Sequence, residues 1–311
     1  MLKIKRPGIM STVQDFGRFG FQRFGIGQGG PMDELSFLWA NKLLENHFNE
    51  TVIEVGLGQA EFIFLLETQI AITGADLRAK INGNRVFPWR TYSLKENDNL
   101  SFSRPLNGQF AYVAIYRGFK VLKHLGSSST VVRENLGGLN RDGVPLEKKD
   151  TLEYMPFSGG VERQVPFRFI PSFNKEQILN IIRGYQFDEF SKVSINTVLT
   201  SEFTVSDKSN RMGFRLRDAF INPPKLEMQS EGIVKGAIQI PPDGNPIVLL
   251  SDRQTLGGYP KIGCLCFDSI SQLVQRKPGD KVRFKILDSN AAFERQKIIY
   301  KYFQIKKTPF L

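Results

Sequence analysis

Apolar residues recur along most of this chain in short runs that alternate with polar ones, as strands with one buried face do. Between residues 51 and 154 such runs cover 61–66, 69–72, 100–102, 110–116 and 151–154. Turn signals separate the runs, and Asn82-Gly83 and Asn107-Gly108 are dipeptides typical of tight hairpins. This density of short strands predicts a mainly antiparallel domain, either a barrel or a sandwich.

Helical periodicity is confined to a few segments. The clearest covers residues 33–46, where Asp33 can cap the first turn and Trp39 is expected to anchor the core. The run 178–183 fits a strand or a helix equally well. Further helices are predicted over 188–199, over 268–275 with Asp268 at its start, and over 289–303, with the strand 282–286 before the last of them.

Prolines and glycines between residues 156 and 171 interrupt all periodicity. They predict a boundary between an N-terminal lobe, 1–165, with a glycine-rich loop and one helix, and a C-terminal lobe, 166–311, with a C-terminal helix. Both lobes are rich in strands, so the predicted fold class is mainly β with a few short helices. A chain of 311 residues is long enough for two such lobes.

Composition narrows the possible partners. The formal net charge is +11, but the basic residues are scattered and form no stripe interleaved with aromatics. The surface is therefore expected to favour small anionic ligands or an acidic partner rather than nucleic acid. No apolar run approaches the roughly 18 residues of a membrane span. The N-terminus also lacks an apolar signal core, which predicts a cytoplasmic protein without membrane contact.

Cysteines and histidines offer little chemistry. Cys264 and Cys266 are the only cysteines, so a disulfide scaffold is excluded. His47 and His124 are the only histidines, and neither lies at metal-ligand spacing. No metal site is predicted.

One polar loop, 252–260, reads Asp-Arg-Gln-Thr-Leu-Gly-Gly-Tyr-Pro and stands between the apolar runs 247–250 and 262–267. An acid, a cation, an amide and a hydroxyl follow one another directly, and the glycine pair lets the backbone approach a ligand. The loop is therefore a candidate site. The alternative is a hairpin loop whose Asp and Thr bind turn amides.

A glycine-dense segment, 9–31, carries Gln14, Asp15 and Arg18 among aromatic residues. Its glycines disfavour a regular helix, because each costs about 1 kcal/mol there. An ordered loop is predicted, either part of a site or a structural loop pinned by its Asp and Arg. The hydroxyl-rich run Gly126-Ser-Ser-Ser-Thr130 can likewise bind an oxyanion through backbone amides or cap the segment that follows.

Short motifs distributed over residues 7–284 occur in a characteristic order. They are Thr12-Val-Gln-Asp-Phe-Gly-Arg18, Gly30-Pro-Met-Asp33, Ala40-Asn41, Ile72-Thr-Gly-Ala-Asp-Leu77, Tyr116-Arg-Gly118, Arg211-Met-Gly213, Arg215-Leu216, Gly236-Ala-Ile-Gln239, the loop 252–260 and Pro278-Gly-Asp280. In this order they resemble the biotin-dependent carboxyltransferase family, also called allophanate hydrolase subunit 2. That family includes the C subunit of 5-oxoprolinase, Kip-type proteins and a region of urea amidolyase.

The resemblance implies two cyclophilin-like β-barrel lobes with the reaction centre where they meet. It implies ATP-dependent opening of 5-oxoproline to glutamate, carried out with two partners, a Kip-inhibitor-like sister called the B subunit and the larger A subunit. ATP is the implied cofactor, bound on this chain or with the sister subunit. Biotin would arrive only on another protein, because the chain has no Met-Lys-Met attachment segment.

Two other functions fit the same resemblance. One is carboxyl transfer from carboxybiotin to a urea-like amide, which predicts a biotinylated partner. The other is a non-catalytic Kip-type regulator that binds a kinase inhibitor, which predicts a tight complex and no turnover.

Three polar, glycine-flanked groups of residues are predicted to converge between the lobes. Opening a lactam with ATP needs cations and backbone amides for phosphate, and amide or hydroxyl groups to orient a small acid. The catalytic candidates are Asp15, as the base, with Arg253 and Gln254. The candidates for substrate binding are Thr12, Gln14, Arg18, Arg211, Gln239, Gly257, Gly258 and Tyr259.

Three stretches depart from the family pattern, and one of them, Leu44-Glu-Asn-His47 in place of Leu-Val-Gly-Asn, is expected to alter only a helix cap. Ser128 stands where the family usually has an arginine, which is expected to weaken an anion site. Leu256 stands where it usually has a threonine, which removes a hydroxyl beside the glycine pair.

Overall fold

A computed structural model describes residues 1–173, 177–226 and 228–305. The chain divides into two compact units. The first unit comprises Met1–Phe19 and Gly29–Asn174, and the second comprises Gly20–Gln28 and Lys175–Leu311. This division differs from the boundary predicted after residue 165, because residues 166–173 group with the first unit. There the ring of Phe169 packs on Trp39, with the ring centroids 6.0 Å apart.

The first unit contains two sheets. Its strands are β1 (Leu2–Pro7), β2 (Met10–Gln14), β3 (Val52–Gly56), β4 (Ala60–Phe64), β5 (Thr68–Asp76), β6 (Lys80–Ile81), β7 (Asn84–Arg85), β8 (Arg90–Leu94), β9 (Asn99–Ser101), β10 (Asn107–Ile115) and β11 (Thr151–Leu152). A six-stranded sheet has the order β11-β1-β4-β9-β6-β7, and a five-stranded sheet has the order β2-β3-β10-β5-β8. One core takes apolar residues from both sheets, among them Phe62 of β4 and Val113 of β10.

The first helix, α1 (Glu34–Leu43), begins as the sequence predicts. Asp33 is its N-cap, and the Asp33 side chain accepts hydrogen bonds from the backbone N–H and the hydroxyl of Ser36. Trp39 is buried, as expected of a core anchor. The helix stops before Glu45, whose φ of 56° lies in the left-handed region that breaks helical geometry. The predicted helix is confirmed, with a C-terminal end a few residues earlier.

The second unit contains a closed barrel. Its strands are β12 (Gln177–Arg183), β13 (Phe203–Val205), β14 (Gly213–Arg217), β16 (Ala237–Gln239), β17 (Ile247–Leu249), β19 (Lys261–Leu265) and β20 (Lys281–Ile286), in the order β12-β19-β16-β17-β14-β13-β20. Strands β15 (Glu231–Gly232) and β18 (Leu256–Gly257) form a separate two-stranded ribbon. The helices of this unit are α2 (Lys192–Thr200), α3 (Phe267–Val274) and α4 (Ser289–Tyr302).

Four short 3₁₀ helices complete the elements of the described residues, at Gln22–Phe24, Val132–Glu134, Phe167–Phe169 and Phe187–Glu189. The mainly β fold with few helices is therefore confirmed. The closed barrel lies in the second unit, whereas the strands of the first unit form the two sheets given above. Among the helices of the described residues, none combines sufficient length with the apolar run that a bilayer crossing requires.

Several local predictions are resolved by pairing between distant segments. Residues 178–183 form a strand, because β12 pairs with β20 in parallel and with β19 antiparallel. Asn82-Gly83 is the hairpin turn between β6 and β7, with both residues at positive φ. The hairpin predicted at Asn107-Gly108 is wrong. Asn107 instead begins β10 opposite Asp76, ahead of an irregularity in that ladder.

Two other predictions need correction. The helix start predicted at Asp268 is one residue late, because α3 begins at Phe267 with Cys266 in the N-cap position and Asp268 inside the first turn. There its carboxylate pairs with Arg295 at 2.9 Å. Part of the glycine-dense segment is a strand rather than a loop, since β2 pairs along its whole length with β3.

Candidate functional site

Asp15 is held in the first unit by the hydroxyl-rich run after Gly126. Its carboxylate accepts hydrogen bonds from the hydroxyls of Ser127 and Ser129, and from the backbone N–H groups of Ser128 and Gly17. Asp15 and the three serines are completely buried. Four donors converge on one carboxylate without exposure to water, which is the arrangement of a group that fixes two segments together. The role predicted for Asp15 as a base stays a prediction.

Arg18 is likewise hydrogen-bonded to the chain around the serine run, but as a donor. Its Nε donates to the carbonyl of His124 at 3.0 Å, and its Nη2 donates to the carbonyls of Ser127 and Ser129. The guanidinium is buried. Gly137 lies against this network, because a Cβ added there would come within 2.0 Å of the Ser129 carbonyl oxygen. Arg18 therefore binds main-chain carbonyls of the serine run in this structure.

The remaining candidates of the first unit are also buried. Nε2 of Gln14 donates to the hydroxyl of Thr12 at 3.0 Å and to the carbonyl of Thr130 at 3.2 Å. Ser128, at the position of the family's arginine, shares a hydrogen bond with the hydroxyl of Thr51 at 2.8 Å. The structure thus brings Thr12, Gln14, Asp15 and Arg18 together around residues 127–130.

The second unit gathers the other predicted residues around the polar loop. Arg211 forms a two-pronged ion pair with Asp252, with Nε to Oδ2 at 2.8 Å and Nη2 to Oδ1 at 3.1 Å. Both side chains are buried. Such a fork is short and directional, and it ties the start of the loop to the segment that precedes β14. Arg211 therefore positions the loop.

Arg253 is directed into the protein as well. Its Nε donates to the carbonyl of Ile233, its Nη1 to the carbonyl of Leu250 and its Nη2 to the side chain of Gln28. Gln254 follows as a half-buried residue, and Tyr259 is 44% exposed at the far end of the loop. The part of the loop open to solvent thus covers residues 254–259.

Gln239 and Gly257 meet directly. Gln239 lies at the end of β16 and is 1% exposed. A Cβ added to Gly257 would stand 2.8 Å from Nε2 of Gln239 and 2.4 Å from a methyl carbon of Ile233. An alanine at position 257 would therefore have to displace the ends of the Ile233 and Gln239 side chains. Gly258 is open by comparison, since among the described residues a Cβ there would meet only the Ser230 hydroxyl, 3.8 Å away.

Three residues beside this pair were not predicted from the sequence. Lys261, at the start of β19, forms an ion pair with Glu231, and the hydroxyl of Tyr185 donates to the same carboxylate. Burial raises the pKa of Glu231, but the hydrogen bonds from Lys261 and Tyr185 outweigh it and hold the pKa below its usual range. Desolvation of its hydroxyl and the bond to Glu231 raise the pKa of Tyr185 to about 12.

The sequence contains one signal that points to this cluster of Lys261, Glu231 and Tyr185. Lys261 is a basic residue at the start of an otherwise apolar strand, and a lysine buried there needs a partner. Nothing in the sequence indicates that Glu231 or Tyr185 supplies it. Within the described residues no group of three or more His, Cys, Asp and Glu side chains is placed to hold a metal ion.

Comparison with known proteins identifies the class to which this fold and these residues belong. Residues 24–286 match the family model described as carboxyltransferase domain, subdomain A and B. The chain belongs to this family.

Individual relatives agree with that assignment. The chain is 32% identical to the C subunit of 5-oxoprolinase from Escherichia coli (strain K12), over 98% of this chain and 97% of that protein. Among solved structures, TTHA0988 has a TM-score of 0.81 at 27% identity, covering 91% of this chain and 56% of that one. The K. lactis urea amidolyase has a TM-score of 0.86 at 24% identity, covering 100% of this chain and 20% of that one. The chain thus spans about half the length of the first structure and a fifth of the second.

Proposed function

We propose that this chain is the C subunit of an ATP-dependent 5-oxoprolinase, which opens 5-oxoproline to glutamate together with the Kip-inhibitor-like B subunit and the A subunit. The observation that carries the proposal is the share of each relative's own length that aligns with this chain. The chain aligns with 97% of the E. coli protein, against 20% of the K. lactis urea amidolyase. A match along the whole of one relative favours the role of that relative over the role of a multidomain enzyme.

The second unit contains the groups that such chemistry needs. Gln239 offers an amide donor beside Gly257, and Lys261, on the strand next to it, is a cation paired with Glu231. A lactam carbonyl that is activated by ATP develops charge on its oxygen, and fixed donors stabilise that charge. We place ATP with this chain or its B-type partner, and biotin only on another protein.

The test uses the full chain co-expressed with the two other subunits. Glutamate formed from 5-oxoproline is measured with and without ATP, for the wild type and for Gln254→Ala. Gln254 suits the purpose because it is half-buried at the solvent-facing part of the loop, so its removal leaves the buried contacts of Arg211 and Arg253 in place. Lys277→Met, an exposed change in the same unit, is the control.

The proposal predicts ATP-dependent glutamate formation that falls at least about tenfold in Gln254→Ala and is unchanged in Lys277→Met. A stable three-subunit complex without glutamate formation contradicts it.

Carboxyl transfer is the second candidate, favoured by the family description itself. It predicts that a biotinylated carrier and bicarbonate, rather than the two oxoprolinase partners with 5-oxoproline, support turnover on a urea-like amide. A tight complex that is inactive in both assays would instead support a non-catalytic Kip-type role.

A further inference from the structure

Four loops of the first unit lie side by side. They are residues 8–9, 57–59, 77–79 and 102–106, and each one connects two consecutive strands. The backbone N–H of Ile9 donates to the carbonyl of Gly58 at 3.2 Å, and the N–H of Ser103 donates to the carbonyl of Leu77 at 2.8 Å. A Cβ added to Gly58 would come within 1.9 Å of the Ser103 carbonyl oxygen. The loops therefore hold one another in place and form one surface.

Three aliphatic side chains of this surface are open to solvent. Ile9 is 57% exposed, Leu57 is 37% exposed and Leu106 is 59% exposed. Leu106 is tied to the same loops, because its N–H donates to the carbonyl of Asp76 at 2.8 Å. A single exposed leucine needs no explanation, but aliphatic side chains gathered on neighbouring loops form the kind of patch that marks contact with another molecule.

The backbone around Leu57 leads to the same conclusion. Leu57, Gly58 and Gln59 have φ values of 59°, 74° and 63°, so three successive residues lie in the left-handed region. That region is ordinary for glycine and tolerable for asparagine, but it strains a leucine. Strained residues cluster where a protein binds another molecule. Neither burial nor backbone preference accounts for a leucine at position 57, which leaves a contact made by its side chain.

Charge defines the chemistry of the partner. Arg78 and Arg104 are exposed on the same loops, and within the described residues neither forms an ion pair. Asp76, the acid at the adjoining strand end, is instead bound by Arg85, with Nη2 to Oδ1 at 2.5 Å. Arginine is enriched in protein interfaces, where its guanidinium matches a carboxylate with two parallel hydrogen bonds. The surface therefore combines aliphatic side chains with positive charge that calls for carboxylates.

We propose that Ile9, Leu57, Leu106, Arg78 and Arg104, which we call the loop-tip surface, dock another protein whose contact surface combines apolar side chains with carboxylates. This partner is a subunit of the proposed oxoprolinase complex, and that identification alone rests on the proposed function. The loop-tip surface itself follows from exposure, backbone strain and charge in this chain.

Two other occupants fit the loop-tip surface less well. A second copy meeting it in a two-fold contact would bring the same arginines to both sides, and like charges across an interface are destabilising. A membrane is the other alternative. Tryptophan and tyrosine typically anchor proteins at the membrane interface, and the four loops contain neither. An acidic protein surface therefore suits these side chains best.

The test measures the affinity of the full chain for the separately purified B and A subunits by calorimetry. Leu57→Asn removes the aliphatic side chain and suits the left-handed backbone. We therefore expect its melting temperature to equal or exceed that of the wild type, while Kd for the partner subunit rises at least about tenfold. A leucine with a merely structural role would lose stability instead.

Leu66→Asn is the matched control variant. Leu66 is 39% exposed, close to the value for Leu57, but it follows β4 whereas Leu57 precedes it. The five residues of β4 separate the two positions by roughly 16 Å. Leu66→Asn should leave the affinity unchanged. The double variant Ile9→Ser with Leu106→Ser tests the other two aliphatic side chains and should weaken binding as Leu57→Asn does.

Salt dependence tests the predicted carboxylates of the partner. The wild-type complex should weaken when the salt concentration rises from about 0.1 M to about 0.5 M, because screening reduces the attraction between exposed charges. The double variant Arg78→Gln with Arg104→Gln should bind at least about tenfold more weakly at the lower concentration and lose most of the salt dependence. An affinity and salt dependence equal to those of the wild type would contradict the charged part of the proposal.

Unchanged affinity in Leu57→Asn and in the Ile9→Ser, Leu106→Ser variant would overturn the proposal, as would the absence of a complex with either subunit. Sedimentation of the chain alone and binding to vesicles of phosphatidylcholine with phosphatidylserine are measured in parallel. Dimerisation or vesicle binding that Leu57→Asn abolishes would assign the surface to a second copy or to a membrane, and would also overturn it.

The two proposals fail in different ways. A complex that these variants weaken, but that forms no glutamate from 5-oxoproline with ATP, removes the oxoprolinase proposal and leaves the loop-tip surface. ATP-dependent glutamate formation by a complex whose affinity none of these variants changes does the reverse.

Discussion

The backbone N–H of Ser128 donates a hydrogen bond to Oδ2 of Asp15 across 2.9 Å, although the two residues lie 113 positions apart. This contact joins the segment after β2 to the serine run, and Ser127 and Ser129 add their hydroxyls to the same carboxylate. The glycine-dense segment is therefore anchored by a buried acid, as the structural alternative drawn from its sequence expects. This anchoring role predicts that a change at Asp15 lowers the stability of the fold.

Asp15→Asn should lower the free energy of unfolding by about 2–3 kcal/mol. An asparagine keeps one acceptor, but its amide group would face a backbone N–H or a serine hydroxyl that now lacks an acceptor. Urea unfolding followed by circular dichroism measures the change. Glu162→Gln, an acid-to-amide change at an exposed site of the same unit, is the control and should have no effect. Equal stability of the two variants would show that Asp15 is not an anchor.

Breaking the buried ion pair of Arg211 and Asp252 should lower the free energy of unfolding by more than Asp15→Asn does. Asp252→Asn leaves the guanidinium in a buried place without its counter-charge, which typically costs about 3–5 kcal/mol. The double variant Arg211→Met with Asp252→Leu should recover part of the loss, because no buried charge remains. With the wild type and the single variants Arg211→Met and Asp252→Leu, this double variant completes a double-mutant cycle of four unfolding free energies. A coupling near zero would contradict the role of this pair in holding the polar loop.

Tyr112 links α1 to the five-stranded sheet. Its hydroxyl donates to Glu54 at 2.7 Å and accepts from the backbone N–H of Asp33 at 2.8 Å. Tyr112→Phe removes both hydrogen bonds and should lower the unfolding free energy by about 1–3 kcal/mol at neutral pH. Tyr259→Phe removes a hydroxyl from an exposed tyrosine and should be neutral.

Alkaline pH should destabilise the wild type through the same residue. Burial, and then the charges of Glu54 and Asp33, raise the pKa of Tyr112 well above its ordinary 10.0. The stability linked to this raised pKa is fully present below pH 10 and is lost as pH rises above it, because the unfolded chain ionises first. The stability difference between wild type and Tyr112→Phe should therefore shrink from pH 9 to pH 11. A difference that grows over this range would contradict the assignment.

Cys264 should be a poorly reactive thiol. Burial, with a smaller contribution from Cys266, raises the pKa of Cys264 to about 12 from an ordinary 9.0. Since only the thiolate reacts, at pH 9 its reactive fraction is about one-thousandth in the folded protein and about one-half after unfolding. Alkylation with iodoacetamide, located by peptide mass spectrometry, should thus be at least about a hundredfold slower without urea. Similar rates with and without urea would refute this.

Much of the secondary structure follows from the sequence because its causes are local. The alternation of Ala60–Phe64 matches its alternating burial, and Asn82-Gly83 forms the turn its φ preferences favour. The Asp33 cap of α1 depends only on residues within one turn. Asn107-Gly108 shows the limit, because a dipeptide that favours positive φ serves a ladder irregularity as well as a hairpin.

The residues of the candidate site stay a prediction, and the structure adds the contacts that their side chains make. The polar loop, Gln239 and the glycine pair were identified from their chemistry and their setting between strands. Arg211 and Arg253 were expected to face a ligand, whereas Arg211 pairs with Asp252 and Arg253 donates to carbonyls of Ile233 and Leu250. A sequence shows that a cation is present, but the partner that neutralises it is chosen by folding.

By itself the sequence determined the family, the strand-rich class and the first helix, since these depend on composition, short-range pattern and motif order. Only the tertiary structure decided that β12 closes the barrel against β20 and that Glu231 meets Lys261. It alone placed the donor of Gln239 beside Gly257. These contacts join residues far apart in the chain, and their free energy exists only when many strands pair at once. No local preference encodes which residues will meet.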